Sequence, residues 1–340
     1  MINLKIQRYS QSIDEPNFEH DFTNVRAFLH PTLQDLSMKQ EYWRALLQMP
    51  YDGKREFWLV YAEDRVVGRI GASIAPQEPN RGALGFFDVA YDSPYREEAA
   101  QLLLGSAQSW LKLHGADKIW GPLCYNTWFP YRWTLDHNPD TFSWEPLTPP
   151  EYPRYFEKAG MKAVAFYKTS FNPDLSAMAE SFKPAVECAE ASGFTFEPID
   201  GRTLNQETLM DLHRLSHEGF QDNFLFEPIS FEMFTKIYTP VFQVKDLIAY
   251  FLADESGERA GFLFCFREAG DLVAKSMAIG TKFRSMGLSK ALMGKACKRG
   301  VDLGLKGLIT ALMSSGNRSE SYARKNEVQW ERHYALYADG

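Results

Sequence analysis

The sequence predicts an α+β fold of two tandem domains, each a mixed, mostly antiparallel twisted sheet flanked by helices. Three observations predict it. At 340 residues the chain is longer than one hydrophobic core usually serves, so two cores are expected. With 45% hydrophobic and 14% aromatic residues against 24% charged, it has ample apolar surface to bury, which excludes disorder over most of its length. An internal repeat also emerges when Arg96 is laid over Arg284: strand, strand, strand, helix, strand occurs in that order in both halves.

In the first half, residues 57–75 read as a strand, a turn at Glu63 and Asp64, and a second strand, and 82–95 carry a third. Residues 96–115 read as a helix, because the spacing of Ala99, Leu102, Leu103, Ala107 and Trp110 puts them on one face and Gly115 closes it. A short apolar strand follows at 118–120. The segment 172–193, with Pro173 near its start and Gly193 at its close, reads as a connecting helix; 194–199 is the strand that opens the second domain, and 206–220 a helix. In the second half, 246–268 gives two strands around a Ser256-Gly257 turn and 270–283 a third. Residues 285–304 form a helix with Leu288, Ala291, Leu292 and Ala296 on one face, and 308–312 the next strand. Domains of 1–174 and 175–340 are expected.

Thirty-seven Lys and Arg against 44 Asp and Glu give a net charge of -7, opposite in sign to the basic stripe that a phosphate backbone needs, so no nucleic-acid partner is expected. Cys124, Cys188, Cys265 and Cys297 show neither CxxC spacing nor histidines at ligand intervals. That argues against a metal or a disulfide framework and for buried thiols in a reducing compartment. No apolar run approaches the roughly 20 residues of a membrane span, and the polar opening segment lacks a secretory apolar stretch. The expectation is a cytoplasmic protein with no membrane partner.

The residues that carry chemistry are Arg284, Ser285, Met286, Gly287, Leu288, Ser289 and Lys290, where a strand turns into a helix. A small residue there lets the backbone approach a ligand, and the first helical amides with the helix dipole can hold a pyrophosphate. Alone, one glycine in such a turn is structural punctuation. In its context of strands, helix and strand, Arg284-x-x-Gly287-x-Ser289 resembles the Arg/Gln-x-x-Gly-x-Gly/Ala acyl-CoA loop of the GNAT superfamily of acetyl-CoA-dependent N-acetyltransferases, with Ser289 in place of the usual Gly or Ala. The first half resembles the same fold with a decayed loop, Arg96-x-x-Ala99-x-Gln101, where Glu97 and Glu98 repel an anion. Residues 155–161, Tyr-Phe-Glu-Lys-Ala-Gly-Met, look like the stretch that closes many GNAT domains. The whole chain is similar to tandem-GNAT bacterial proteins with a degenerate amino-terminal domain.

The resemblance implies an N-acyltransferase that holds acetyl-CoA or another acyl-CoA beside an amine, of a small molecule or a peptide, in a ternary complex. Pantetheine would lie along Met277, Ala278 and Ile279, with an amide near Ile279 polarising the thioester. Pyrophosphate would meet the amides of 285–290, Asn317 would be the cofactor-side asparagine, and Tyr322 the acid for the departing thiolate. His217, Glu218 and Glu227 are candidates for the base. A monomer or homodimer is expected. Two alternatives remain open: a noncatalytic acyl-CoA-binding or regulatory protein, and a transferase of aminoacyl groups from tRNA, against which the acidic charge counts. Residues 120–144 hold four of the eight tryptophans, with Tyr125, Asn126, Phe129, Tyr131, Arg132, His137 and Phe142. They read either as the floor of an amine pocket or as an aromatic loop stitching the domains together.

Overall fold

The computed structural model describes residues 4–10, 16–30, 40–136, 141–146, 148–242, 244, 247–315 and 327–340. It divides into two compact units, Met1–Phe166 with His333–Gly340, and Tyr167–Arg332. The division lies between Phe166 and Tyr167 rather than at 174/175, and the last residues group with the first unit.

The first unit is built on strands β1 (Leu4–Tyr9), β2 (Lys54–Ala62), β3 (Arg65–Ile74), β4 (Arg81–Val89), β5 (Lys118–Gly121), the short β6 (Trp133–Thr134) and the start of β7 (Met161–Asn172). Its helices are α1 (Pro16–Thr23), α2 (Gln40–Leu47), α3 (Arg96–Leu113) and α4 (Tyr152–Lys158). β1 to β4 pair antiparallel in sequence order, and β4 pairs with β5 in parallel. Residues of the carboxy-terminal strand β13 (Trp330–Asp339) pair with β5 and β6, Tyr337 opposite Gly121 and Tyr334 opposite Thr134. Helix α3 buries Ala99, Leu103, Ala107 and Trp110 against this sheet, but Leu102 is 38% exposed. The true buried stripe runs through Ala100, Leu104 and Leu111 on its other flank, as a 3.6-residue period requires. On the opposite face the fully buried Arg69 pairs with Asp88 at 2.6 Å, lies over Phe22, Phe28 and Trp43 and donates to the Phe22 carbonyl. That charge ties the amino-terminal helices to the sheet.

The second unit contains the rest of β7, α5 (Leu175–Ala191), β8 (Thr195–Pro198), α6 (Gln206–Phe220), α7 (Phe231–Phe242), β9 (Leu247–Ala253), β10 (Arg259–Glu268), β11 (Asp271–Ile279), α8 (Leu288–Asp302) and β12 (Leu308–Ser314). Its sheet runs β7-β12-β11-β10-β9-β8, antiparallel except for β11 with β12. Asp174 caps α5 by accepting from the Ala177 amide at 2.9 Å, and Asn205 caps α6 by accepting from Thr208 at 2.9 Å, which fixes where both helices start. Leu288, Ala291, Leu292 and Ala296 of α8 join Leu175, Met178 and Phe182 of α5 in the second core. Truncating Leu292 to alanine there costs about 2–5 kcal/mol.

Candidate acyl-CoA site

In the second unit β11 and β12 pair only from Leu272 with Leu308 to Ala274 with Thr310. Two irregularities then part them. On β11 the register against β10 jumps at Lys275, from Ala274 opposite Cys265 to Ser276 opposite Phe264. On β12 the register against β7 shifts between Thr310 and Met313; Leu312 takes a φ of 57° and its amide donates to Thr169 Oγ1 at 3.1 Å. Bulges of this kind bend a strand away from its neighbour. β11 meanwhile stays on β10. Gly280 donates to the Ala260 carbonyl at 2.8 Å, so by the alternation of an antiparallel ladder the amides of Met277 and Ile279 point to the other edge, the one β12 has left. Ala278 is buried, while Met277 and Ile279 are half-buried with side chains on the second core.

Beyond Ile279 the chain makes a 3-10 turn, Thr281–Phe283, anchored by Phe283 in the core. Ser285 and Gly287 then both adopt positive φ, 70° and 77°. Gly287 is the N-cap of α8 without a side-chain cap, and the first turn carries no acidic residue. An added Cβ at Gly287 would meet nothing within 4 Å, so the glycine serves the backbone conformation and leaves open space beside the start of α8, where the Lys290 amide closes the first turn on the Gly287 carbonyl at 3.0 Å. Arg284, Ser285, Met286 and Lys290 are exposed, Ser289 half-buried, and Leu288 buried as the anchor of the helix. The Arg284 guanidinium binds Asp222 at 2.9 Å and the Glu218 carbonyl, and Lys282 pairs with Glu258. Attraction for an anion therefore comes from the helix amides and Lys290. The first turn of α8 itself carries no carboxylate, and such a helix N-terminus suits a pyrophosphate.

Asn317 and Tyr322 lie outside the described residues, as does His137. Of the base candidates, His217 accepts from the Ile229 amide at 3.4 Å, and burial followed by the nearby His213 holds its imidazole below the ordinary value. Burial pushes the Glu218 carboxyl up, but bonds from the Thr281 amide and from Arg214 outweigh it and leave the group below the usual carboxylate range. Glu227 is half-buried in the loop before α7. None of the three is established as a base by this geometry. The role of Glu218 had no signal in the sequence beyond its helical spacing from Arg214.

The corresponding place in the first unit is filled. β4 and β5 pair from Arg81 with Lys118 to Ala83 with Trp120, after which the chain folds back onto β4. The Leu123 amide donates to the Leu84 carbonyl at 2.6 Å, and the Phe86 amide to Cys124 Sγ at 3.3 Å. A Cβ at Gly85 would lie 2.6 Å from the Leu123 carbonyl oxygen. The overlay of Arg96 on Arg284 is also corrected. Helix α3 starts at Arg96 with Tyr95 as N-cap, whereas α8 starts four residues after Arg284, so Tyr95 matches Gly287, and Glu97 and Glu98 match Ser289 and Lys290. Ala99 is a core residue of α3, not part of a loop. Glu97 binds Arg154 at 3.1 Å and also Lys158. Two rings of the aromatic segment pack within this unit: Tyr125 stacks on Tyr51 and meets Phe86, and Trp133 meets Phe87, Tyr152 and Phe156.

Comparison with known proteins gives a fold. No family model matches the chain, and no curated protein sequence matches it significantly. Among solved structures, it is similar to a tandem GNAT protein from the clavulanic acid biosynthesis pathway, at TM-score 0.59 and 10% identity over 99% of this chain and 98% of that one. It is also similar to a GCN5-related N-acetyltransferase from Sphaerobacter thermophilus, at TM-score 0.53 and 12% identity over 99% and 95%. A GCN5-related N-acetyltransferase from Kribbella flavida aligns at TM-score 0.54 and 13% identity over 99% and 71%. The chain has the GNAT fold, in its tandem form. Among the described residues no helix is long and apolar enough to cross a membrane, and no cluster of His, Cys, Asp or Glu is arranged to hold a metal ion.

Proposed function

We propose that the protein is an acyl-CoA-dependent N-acyltransferase, acetyl-CoA being the first donor to test, and that only its second unit takes the donor. The observation that carries this reading is the combination, in one unit, of a strand edge left by its neighbour at Ala274 and Thr310 with the Gly287 turn into α8. Acyl-CoA supplies a thioester-activated acyl group. The amides of 285–290 hold its pyrophosphate, Met277, Ala278 and Ile279 flank its pantetheine, and Asn317 supports the cofactor side. The Ile279 amide donates to the acyl oxygen, a contact worth about 2.7–4 kcal/mol when such a donor is pre-aligned. Holding donor and amine together provides the larger share, about 7–11 kcal/mol. As the amine nitrogen bonds the acyl carbon and the C–S bond breaks, Tyr322 supplies a proton to the leaving sulfur and the nitrogen gives up its own to water.

The acceptor is an amine of a small molecule or a peptide. The protein acts in the cytoplasm as a monomer or homodimer, without nucleic-acid, membrane or metal partners. Calorimetric titration with acetyl-CoA tests the reading: one site per chain is expected, followed by amine-dependent thiol release in a screen of acceptors. No detectable binding would sink it, and two sites would show that the first unit also takes the donor.

A further inference from the structure

We infer that Glu218 is a positioning residue that fixes the turn from β11 into α8, rather than the base its place on α6 suggests. This rests on the reading of that turn as the acyl-CoA site. Glu218 sits near the carboxy-terminal end of α6 and holds the turn twice. Its carboxylate Oε2 accepts from the Thr281 amide at 2.9 Å and from Thr281 Oγ1 at 3.3 Å. Its backbone carbonyl accepts from the Arg284 guanidinium, which Asp222 steadies from the loop after α6. The two grips lie on either side of Phe283. Upstream of the first are the outward amides of Met277 and Ile279; downstream of the second are the positive-φ residues Ser285 and Gly287.

Glu218 therefore sets the separation between the strand edge and the helix N-terminus, the two places that one extended donor must span. Its other oxygen is held by Arg214 at 3.2 Å, and Arg214 in turn reaches Asp211 and the Arg259 carbonyl. The carboxylate is thus tied on both oxygens, and its proton affinity is depressed by those same bonds. A group so held is a poor proton acceptor and a good strut.

The test uses the full chain, wild type, Glu218→Ala and Glu218→Gln, with circular dichroism to confirm folding. In the absence of any ligand, amide hydrogen exchange across 281–290 should rise at least tenfold in Glu218→Ala and stay within threefold of wild type in Glu218→Gln, whose amide oxygen still accepts from Thr281. Calorimetry should show CoA and acetyl-CoA affinity weakened about tenfold in the alanine variant and restored to within threefold by glutamine. Unchanged exchange in a folded alanine variant overturns the inference. If exchange responds as expected but wild type binds neither CoA nor acetyl-CoA, the positioning role stands and the acyl-CoA reading fails. If the alanine variant does not fold, Arg284→Met releases the second grip alone and should raise the same exchange; no rise would again overturn it.

Discussion

In the first unit β4 and β5 run in parallel as far as Ala83 and Trp120, and in the second β11 and β12 as far as Ala274 and Thr310. Beyond those pairs the two units diverge. In the first unit the chain returns through Leu123 and Cys124 and satisfies the β4 edge itself; in the second, β12 bulges away at Leu312 and the Met277 and Ile279 amides face the gap. The next helix differs in the same sense. Tyr95 with Glu97 and Glu98 stands at the start of α3, and Gly287 with Ser289 and Lys290 at the start of α8. A shared fold is kept by the two cores, while the units differ in a few residues past the third parallel pair and in one helical turn, the places where the proposed donor site falls.

The largest expected effect breaks the comparison at those helix starts. Gly287→Glu brings a carboxylate to the proposed pyrophosphate position. At about 4 Å and an effective dielectric near 20, that repulsion is about 4 kcal/mol; the further cost of about 1–2 kcal/mol for a side chain at positive φ falls on folding stability instead. Acetyl-CoA affinity should fall more than 100-fold by calorimetry, with the melting temperature lowered by only a few degrees. Tyr95→Glu, at the matching position of the first unit, should alter that affinity less than twofold. A large loss with Tyr95→Glu would put the donor in the other unit.

The next effect concerns the filled edge itself. Gly85→Ala would force its Cβ against the Leu123 carbonyl and the Cys124 Cα, at 2.6 and 2.7 Å. Both are backbone atoms that cannot turn aside, so a cost of about 1–3 kcal/mol is expected. Chemical denaturation should show it as a shift of the first unit's transition, with acetyl-CoA affinity unaffected. A neutral Gly85→Ala would mean the returning segment is not seated as tightly as its contacts indicate.

Thiol labelling sharpens the same point with a smaller signal. Burial pushes the Cys124 thiol up to about 12, and Cys265 and Cys297 are also buried, whereas Cys188 is exposed. Native alkylation at pH 8, read by peptide mass spectrometry, should label Cys188 at least 100-fold faster than Cys124, because only an exposed thiolate reacts. Comparable rates would show that the returning segment opens often.

Much of this frame is legible in the sequence. The α8 stripe through Leu288, Ala291, Leu292 and Ala296 and the turn at Glu63 and Asp64 follow from spacing and local chemistry. So does Gly287, because positive φ before a helix selects glycine. The filled edge is not legible. It depends on Leu123 meeting Leu84 and Cys124 meeting Phe86, pairings between residues far apart in sequence that no local pattern encodes. The aromatic density of 120–144 is visible, but which rings Tyr125 and Trp133 meet is not. The overlay of Arg96 on Arg284 misplaces the first helix start because element order repeats while the length of the turn before the helix does not.

The smallest expected effect separates the units by pH. In the first, the segment over the sheet is tied by a guanidinium rather than an imidazole, Arg69 donating to the Phe22 carbonyl. In the second, the loop before α7 is tied at Ile229 by two histidines one helical turn apart, His213 Nε2 at 2.9 Å from its carbonyl and His217 Nε2 accepting from its amide. The folded state holds His217 below its unfolded value near 6.5, by burial and then by His213, so it favours the neutral ring. That contribution is complete above the unfolded value and is lost as pH falls through the folded one, because a protonated Nε2 no longer accepts the Ile229 amide. Between pH 7 and 5, exchange at the Ile229 amide, corrected for its intrinsic rate, should rise several-fold, and His217→Gln should flatten the rise. Amides of α1 beside Arg69 should show no such trend over the same interval. An equal acid response in both places would remove the histidine pair as the cause.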